Sequence, residues 1–508
     1  MAGRGAAGQR GWAGRVRRVT SPENSPAPAQ PLAVAEKVLG DVAERHVALT
    51  RAFLDAGHTL YLVGGPVRDA LLGHVNHDLD FTTDATPDVV QPIMEAYADV
   101  VWTAGIEFGT ISGEKDGEQL EITTFRADAY DRVSRNPVVR FGDTLEDDLV
   151  RRDFRVNAMA ARLGVDADGH GTVEVLDPLG GLSDLAAGVL DTPGTPEDSF
   201  NDDPLRMLRA ARFVSQLGFT VAPRVQQAMT EMAGQLERIT VERINQEFTK
   251  LMLGTDPATG IDLLVQTGLC EQFLPEVPAL QLEPDEHLQH KDVYAHSLKV
   301  LQQACDLEED EPDLVLRLAA LLHDIGKPAT RAAKPGGGVT FHQHEVVGAK
   351  LARQRLKALR YPKEVIKNVN DLVFLHMRFY GYADGAWTDS AVRRYVTDAG
   401  SQLDRLNKIV RADCTTRNQR KAARLRRAYD NLEDRIAEIA EKEDLAKVRP
   451  DLDGGDIMRI LGLSPGPTVG KAWTYMKDLR LENGPMSPED AEAALLAWWA
   501  DNKPADDS

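Results

Sequence analysis

The feature that most constrains this chain is a glycine turn that leads from a strand into a helix. Residues 58–63 form a short, mostly apolar run that predicts a strand, and Gly64-Gly65-Pro66-Val67-Arg68-Asp69 follows it. Pro66 suits the first turn of a helix, where its missing N–H is not needed. The backbone N–H groups of this turn, together with Arg68, suit the phosphates of a nucleoside triphosphate.

A pair of carboxylates follows closely, at Asp78 and Asp80. In a strand these two side chains share one face and Leu79 takes the other. Two carboxylates directed at one point repel each other unless a cation lies between them, and Mg²⁺ prefers such oxygen ligands. Either feature alone is more simply a glycine turn or a solvated acidic loop. In this order and this close together, they favour a nucleotidyltransferase.

Composition and charge limit the classes of protein that remain. The chain has 508 residues, a length typical of about three or four domains. A net charge of -20 argues against coating of nucleic acid without specificity, although a local basic face would still bind RNA. The three cysteines lack metal-ligand spacing, which fits a reducing, cytoplasmic compartment. No apolar run is long enough to cross a bilayer, so no membrane association is expected.

The hydrophobic pattern predicts a multidomain α+β fold, with a small mixed α/β head followed by mostly α-helical domains. Strands are predicted at 61–65, 78–82, 109–114, 119–126 and 172–176. Residues 1–31, rich in Arg, Gly, Ala and Pro, are expected to be a disordered basic tail or extra residues from an upstream start codon. The expected divisions are that tail, the head at 32–190, a helical neck at 191–285, a further domain at 286–415 and a helical tail at 416–508.

Seven segments of the chain, taken in order, resemble those of a known family. They are 64–69, 78–80, 108–110, 121–126, 151–160, 203–212 and, late in the chain, 465–470. The family is the bacterial class II tRNA nucleotidyltransferases, or CCA-adding enzymes, of the DNA polymerase β-like superfamily. The resemblance implies template-independent addition of CCA to the 3′ end of tRNA, with CTP and ATP as substrates.

The resemblance also implies the roles of the head residues. Asp78 and Asp80 would bind two Mg²⁺ ions, which activate the RNA 3′-hydroxyl and stabilise the leaving pyrophosphate. Glu121, on an alternating strand, is the candidate third carboxylate, with an exposed strand glutamate as the alternative. Gly64, Gly65 and Arg68 would contact the phosphates, Arg152 phosphate or sugar, and Asp153 and Asn157 the ribose hydroxyls.

The segment that begins at Asp203 resembles the family's protein template for the incoming base. A carboxylate accepts from the exocyclic amine that cytosine and adenine share, and a guanidinium donates to the neighbouring ring acceptor. Asp203 and Arg206 are expected to lie on one helix face and to meet one base edge. Arg209 and Arg212 would continue that face toward phosphate. A solvated basic helix face is the alternative.

Two further details bear on which nucleotides are added. The family usually has glutamate before the template aspartate, whereas Asp202 occupies that place here. The shorter side chain keeps the charge, so a supporting role is expected to survive. Residues 125–141 resemble the flexible loop that full CCA-adding members possess and CC-only members lack. We therefore expect one chain to make all three additions.

A second group of residues has the order of an HD-domain metal site, which assigns the domain at 286–415. It comprises His296, the adjacent pair His323 and Asp324, and the later Asp413. Histidines and carboxylates from separate helices bind divalent transition metals and activate a water molecule. His342, His344 and His376 are candidates to complete a second metal position. Some CCA-adding enzymes carry such a domain with phosphohydrolase activity on 2′-phosphate or 2′,3′-cyclic phosphate ends.

The densest basic stretch, residues 417–427, includes Arg420, Lys421 and Arg424 and predicts an RNA-binding helix, with a solvated amphipathic face as the alternative. Gly466 and Gly470, near a predicted helix start, would approach the RNA backbone or simply form a tight turn. Two rival functions remain. A poly(A) polymerase shares the head motifs but has a basic-aromatic segment that is not seen here. An HD phosphohydrolase with a tRNA-binding head would not need the intact Asp78 and Asp80 pair.

Overall fold

The computed structural model divides into two compact units, residues 1–239 and 240–508. It describes residues 29–75, 78–127, 140–142, 144–282, 293–333, 335, 338–381, 387–416, 418–443 and 449–503. The expected basic tail therefore lies outside the described residues, except for its last three positions, which begin the first helix. Most of the segment 125–141, expected to be the flexible loop, also lies outside them. Within the described residues, no helix combines the length and apolarity needed to span a membrane.

The first unit holds a seven-stranded sheet with helices on it. Its helices are α1 Ala29–Arg45, α2 Val47–Asp55, α3 Gly65–Leu71, α4 Pro87–Tyr97, α5 Leu145–Val150, α6 Gly181–Ala187, α7 Pro196–Asp202, α8 Leu205–Leu217 and α9 Pro223–Met232. Its strands are β1 Leu60–Val63, β2 Asp78–Thr83, β3 Val100–Trp102, β4 Thr110–Lys115, β5 Glu118–Thr124, β6 Arg126–Ala127, β7 Arg140–Phe141, β8 Ala160–Val165, β9 Gly171–Leu176, β10 Val189–Leu190 and β11 Thr220–Val221.

The order of the large sheet is β3-β4-β5-β2-β1-β8-β9, and β2 and β5 are its one parallel pair among the described strands. The alternation predicted for β2 is confirmed, since Leu79 and Phe81 are buried whereas Asp78 and Asp80 are exposed. The first predicted strand is shorter than expected, because Gly64 ends it and α3 begins at Gly65. The sheet therefore presents the acidic pair beside the glycine turn.

The second unit is almost wholly helical. Its helices are α10 Val241–Met252, α11 Pro257–Gln266, α12 Cys270–Phe273, α13 Val293–Cys305, α14 Leu314–Leu322, α15 Lys327–Thr330, α16 His344–Ala358, α17 Lys363–Leu375, α18 Asp389–Ala399, α19 Leu403–Ala412, α20 Gln419–Lys442, α21 Gly454–Leu461, α22 Pro467–Asn483 and α23 Pro488–Asn502. A short hairpin, β12 Arg331–Ala333 with β13 Val339–Phe341, lies between α15 and α16 in the chain.

Helix α14 forms the centre of this unit. Asp313 caps it by accepting from the N–H groups of Val315 and Leu316, and nearly all of its side chains are buried. This apolar helix packs on α13, α17 and α19. It ends at His323, so that the HD pair lies where these helices meet. A multidomain α+β fold with a mixed head and helical remainder, as predicted, is confirmed.

Candidate active site and metal centre

Three carboxylates lie together on one surface of the large sheet. Asp78 and Asp80 are exposed on β2, and Glu121 is exposed on the neighbouring strand β5. The parallel register places Asp80 directly opposite Glu121. Because adjacent strands are about 4.8 Å apart, these side chains are close enough to share ligands. The pairing brings the expected third carboxylate beside the acidic pair.

The electrostatics of this group favour a bound cation. Although Asp80 is exposed at the strand surface, neighbouring groups restrict the solvent around its carboxyl group and raise its pKa to about 6, with a further contribution from the charge of Glu121 and an opposing one from Arg152. A carboxylate that resists ionisation beside two others is stabilised by a divalent ion between them. All the donors are hard oxygen atoms, so the set suits Mg²⁺.

The glycine turn has a backbone conformation that requires its glycine. Gly64 has φ +74°, and a Cβ atom there would lie 3.0 Å from Nη1 of Arg152. Because glycine has no Cβ atom, the Arg152 guanidinium can pack against the turn. Nη2 of the same guanidinium donates to Asp148 at 3.0 Å. Pro66 lies in the first turn of α3, as predicted. The turn and the Arg152 guanidinium therefore pack directly against each other.

A chain of hydrogen bonds connects four of the predicted nucleotide-binding residues. Arg68 donates to Asn157 Oδ1 at 2.7 Å, and Asn157 donates to Asp153 Oδ1 at 2.9 Å. Arg209 then donates to the other oxygen of Asp153 at 2.7 Å. Although burial acts in the opposite direction, Arg209 and Asn157 hold the pKa of Asp153 well below its usual range. Asp153 is therefore a fixed negative charge that orients its neighbours.

One aromatic ring supports three arginines of this network. The guanidinium carbons of Arg68, Arg209 and Arg212 lie 5.0, 5.6 and 4.3 Å from the centre of the Phe213 ring. Phe213 itself is buried and packs edge-on against Phe154. Cations within about 6 Å of an aromatic face are attracted by its quadrupole. Phe213 therefore holds three charged groups near one another.

The predicted template pair lies where α7 gives way to α8. Asp203 follows α7 and accepts from the N–H of Leu205 at 3.1 Å, whereas Pro204 occupies the N-cap position of α8. Arg206, in the first turn of α8, donates to Ser199 Oγ at 2.9 Å and to the Arg151 carbonyl at 2.6 Å. Asp202 is exposed at the end of α7. The expectation that Asp203 and Arg206 share one helix face is therefore wrong, because Asp203 has extended backbone and precedes α8.

The first unit contains a cavity of about 340 Å³ that is lined by three acidic and four basic side chains. Its charged lining comprises Asp80, Glu121, Asp148, Arg126, Arg151, Arg152 and Arg206. A cavity lined by both carboxylates and guanidinium groups matches a metal-bound triphosphate, in which anionic phosphates contact both cations and arginines. This geometry supports phosphoryl chemistry at the sheet surface.

The second unit gathers six side chains into two adjoining groups. His296, His323 and Asp413 form one group, and Asp324, His344 and His376 form the other. Within each group the candidate ligand atoms all lie within 4.8 Å of one another. His296 Nε2 is 2.9 Å from Asp413 Oδ1, and His323 Nε2 is 3.1 Å from Asp324 Oδ2. The residues come from the ends of α14, α17 and α19 and from α13 and α16.

The histidine rings are oriented by their other nitrogen atoms. In each of three rings, Nδ1 lies within hydrogen-bond distance of a main-chain carbonyl oxygen. The distances are 2.8 Å from His323 to Ala320, 2.9 Å from His344 to Phe341 and 2.6 Å from His376 to Val373. The Nε2 atoms of these three rings are buried, and those of His323 and His344 lie 3.1 and 3.3 Å from the two carboxylate oxygens of Asp324. Burial and His323 also lower the pKa of His376 to about 4, which keeps its ring neutral. Buried Nε2 atoms beside carboxylates are the ligand set of a divalent transition metal.

Comparison with known proteins identifies this combination of domains. Residues 60–191 match the family model described as the Poly A polymerase head domain. Residues 218–280 match the probable RNA and SrmB-binding site of polymerase A, and residues 293–445 match the HD domain. An A-adding tRNA nucleotidyltransferase of Deinococcus radiodurans is 35% identical over 448 residues, which cover 86% of this chain and 95% of that protein. The chain belongs to the tRNA nucleotidyltransferase family.

Other members of the family match over a shorter stretch. The CCA-adding enzyme of Bacillus subtilis is 42% identical over 224 residues, which cover 44% of this chain and 53% of that protein. The chain thus matches about half the length of this relative. A solved structure, the Bacillus stearothermophilus CCA-adding enzyme in complex with CTP, has a TM-score of 0.61 and 25% identity, and covers 90% of this chain and 97% of its own. The Thermotoga maritima CCA-adding enzyme complexed with tRNA shares the fold, with a TM-score of 0.59 and 20% identity.

The structure of this tRNA nucleotidyltransferase separates the HD candidates. It brings together the predicted His296, His323, Asp324 and Asp413, and it adds His344 and His376 to them. His342, two residues from His344, is exposed and belongs to neither group. Arg420, Lys421 and Arg424 are exposed on α20, while Arg417 lies outside the described residues. Gly466 precedes α22, which begins at Pro467.

Sequence reasoning missed several residues of these sites. Arg126 and Arg151 line the head cavity, although the motifs that contain them gave no reason to single them out. Phe213 looked like an ordinary core residue at helical spacing, and the three surrounding arginines were the available signal. Oγ1 of Thr415 lies 2.9 Å from Nδ1 of His296. Its position two residues after Asp413 was a signal in the sequence that could have identified it as part of the centre.

Proposed function

We propose that this tRNA nucleotidyltransferase adds CCA to the 3′ end of tRNA, with CTP and ATP as substrates and without a nucleic-acid template. The observation that carries the proposal is the placement of Asp80 opposite Glu121, beside Asp78 and within reach of the arginines of one cavity. Such a site neutralises the charge of a triphosphate from two sides. It also leaves room for a hydroxyl nucleophile.

In this proposal each group of the head has one task. Asp78, Asp80 and Glu121 would hold Mg²⁺, which supplies activation of the 3′-hydroxyl and stabilisation of the leaving pyrophosphate when bound. Gly64, Gly65 and Arg152 receive the phosphates. Asp153 and Asn157, fixed by their hydrogen bonds, orient the ribose through its hydroxyl groups. Their rigidity is what converts binding energy into alignment of the reacting atoms.

Base selection would belong to Asp203 and Arg206. Cytosine and adenine each present an exocyclic amine next to a ring acceptor, and a carboxylate with a guanidinium matches that pattern. The hydrogen bonds of Arg206 to Ser199 and to the Arg151 carbonyl fix the orientation of its guanidinium. Arg209 and Arg212 would contact phosphate from the Phe213 side. Guanine and uracil present the reverse polarity and are rejected.

The decisive assay uses three RNA acceptors, with tRNA ends that lack CCA, CA or only the final A. CCA addition extends each acceptor to the same final length in the presence of Mg²⁺, CTP and ATP. The full-length similarity to an A-adding relative raises a second candidate, addition of the final A alone. That activity would extend only the acceptor that ends in CC. A long ladder of A residues would instead indicate a poly(A) polymerase.

A second activity is proposed for the HD centre. The two ligand groups would hold one or two divalent transition metals, and a water bound there would attack a phosphate ester. Hydrolysis of 2′,3′-cyclic AMP by protein loaded with nickel, cobalt or manganese tests it. Protein that contains metal and yet leaves this compound and 2′-AMP intact would contradict the phosphohydrolase assignment.

The remaining assignments concern domains and location. The proposed divisions are the head at 32–190, the neck at 191–285, the HD domain at 286–415 and the tail at 416–508. Arg420, Lys421 and Arg424 on α20 are proposed to contact tRNA phosphates, which would make binding weaken steeply with salt. All three cysteines are free thiols, which supports a reducing, cytoplasmic location.

A further inference from the structure

Four arginines line the head cavity, and two of them, Arg126 and Arg152, keep a buried donor without a partner among the described residues. Arg152 donates to Asp148, and Arg206 donates to Ser199 and to the Arg151 carbonyl. Arg126 donates through Nη2 to Thr110 Oγ1 at 2.6 Å. The Nε atoms of Arg126 and Arg152 are both buried without a hydrogen-bond partner among the described residues, but Arg152 lies against the glycine turn whereas Arg126 follows β5. A guanidinium group with an unused donor at a cavity wall is suited to an anionic ligand.

The charges around Arg126 point the same way. Burial, and then the nearby Arg151, lower the pKa of Arg126, while Asp148 and Glu121 oppose them. Two guanidinium groups at one cavity wall repel each other, and an anion between them relieves that repulsion. A phosphate group is the anion whose oxygen atoms match the planar guanidinium fork. The remaining question is which phosphate of the reaction lies there.

The order of the strands answers that question. Glu121 lies on β5, Asp78 and Asp80 lie on the central β2, and the glycine turn follows β1 on the far side of β2. Arg126 begins β6, just after the end of β5. In phosphoryl transfer the nucleophile and the leaving group lie on opposite sides of the phosphorus atom. If the triphosphate contacts the turn beyond β1, the RNA 3′-hydroxyl approaches from the side of β5 and Arg126.

We propose that Arg126 binds the phosphodiester that joins the last two nucleotides of the RNA acceptor, and so positions the attacking 3′-hydroxyl. This inference rests on the proposed function and names a binding residue that the motifs did not. A contact with the phosphate backbone of the RNA does not depend on which base is present. It therefore serves every round of addition, because each new terminal nucleotide brings an equivalent phosphodiester to the same place.

The test measures single-nucleotide addition by the full chain and its Arg126→Ala and Arg126→Lys variants. We expect Arg126→Ala to raise KM for the tRNA acceptor roughly tenfold while KM for CTP and ATP changes less than about twofold. Arg126→Lys keeps the charge and should recover part of the loss. Arg162→Ala is the matched control, because Arg162 is a solvent-exposed head arginine on β8 that is paired with Glu174.

A chemically altered acceptor makes the test specific. A methylphosphonate at the terminal linkage removes one charge from the RNA. With this acceptor, KM for the wild-type protein should rise about as much as the Arg126→Ala substitution raises it with normal tRNA. The two changes combined should cost no more than either alone. Additive losses, or a raised KM for nucleotide with an unchanged KM for tRNA, would overturn the inference. A wild-type protein that extends no acceptor would instead contradict the proposed function itself.

Discussion

Asp80 and Glu121 face each other across the parallel strands β2 and β5. This pairing makes a carboxylate group from two distant parts of the sequence, with Asp78 as its third member. Because the register sets Asp80 and Glu121 directly opposite each other, their side chains lie on the same face of the sheet. The proposed two-metal site depends on that register.

Neutralising Asp78 or Asp80 should abolish nucleotide addition without loss of tRNA binding. Asp80→Asn and Asp78→Asn remove a metal-binding charge but keep the shape, and we expect a loss of at least about 1,000-fold in the rate of single-turnover extension. Binding of labelled tRNA should change little. Glu95→Gln, on the exposed face of α4, is the control and should retain full activity. Extension by either Asp variant at a normal rate would remove the metal assignment.

Arg206→Ala should relax base selection more than it weakens tRNA binding. The variant loses the donor proposed to recognise cytosine and adenine, so incorporation of GTP and UTP should rise relative to CTP and ATP by roughly tenfold. Competition assays with all four nucleotides measure the ratio. Ser199→Ala, which removes only one of the anchors of Arg206, should show a smaller change in the same direction. Undiminished rejection of GTP and UTP would contradict the template proposal.

Phe213→Leu should raise KM for CTP and ATP severalfold. Leucine fills most of the space but lacks the aromatic face on which Arg68, Arg209 and Arg212 lie, each such contact contributing about 0.5–2 kcal/mol. Phe213→Tyr keeps the ring face and should preserve nucleotide affinity better. Phe53→Leu, a buried core change on α2, is the control for general loss of stability. Equal nucleotide KM values for Phe213→Leu and Phe213→Tyr would reject the role of the ring.

Asp184→Asn should stabilise the head above about pH 6. Burial, opposed by Arg155 and reinforced by Asp191, raises the pKa of Asp184 to about 6. The fold therefore favours the neutral acid, and wild-type stability falls as the pH rises from about 4 to 6, by on the order of 1 kcal/mol after allowance for partial exposure. The asparagine variant lacks this loss, so its advantage should be absent at pH 4 and full at pH 7.5.

Hydrogen exchange of peptides from residues 181–191 measures this difference locally. Asp191→Asn is the informative counterpart, since Asp191 is paired with both Arg155 and Arg224. The Asp191→Asn substitution should speed hydrogen exchange at pH 7.5, whereas Asp184→Asn should slow hydrogen exchange at the same pH. Faster exchange in Asp184→Asn at that pH would show that the carboxylate is stabilising after all.

The HD ligands should control metal content but not nucleotide addition. His323→Ala and His376→Ala each remove a buried nitrogen ligand, and metal retained after dialysis should fall at least about tenfold. Elemental analysis of the purified protein provides the measurement. His342→Ala should keep its metal, because His342 is exposed and outside both groups. Metal content that is insensitive to His323 and His376 would contradict the centre.

Features that depend on residues close in the chain could be predicted from the sequence, whereas contacts between distant segments could not. The period-two pattern at Asp78 and Asp80, and the turn into α3, depend on neighbours in the chain and were predictable. The pairing with Glu121 depends on the register of two strands that are separated by β3 and β4 along the chain, so spacing alone could only nominate it.

The same limit applies to the arginines and the histidines. Arg126 reaches its cavity because β6 follows β5, and Phe213 supports three cations only after α8 packs beside Arg68. His342 and His344 look alike in the sequence. The start of α16 at His344 buries one ring among the metal ligands and leaves the other exposed.

Three imidazole rings of the HD centre, those of His323, His344 and His376, are held by main-chain carbonyl groups through Nδ1. Their tautomers and directions are therefore dictated by the protein backbone and not by an ion. Removal of metal by a chelator should leave the scaffold assembled, so that a different metal could be exchanged in without refolding. The identity of the resident ion would then follow from cellular supply and ligand chemistry, and not from a shape that the ion itself imposes.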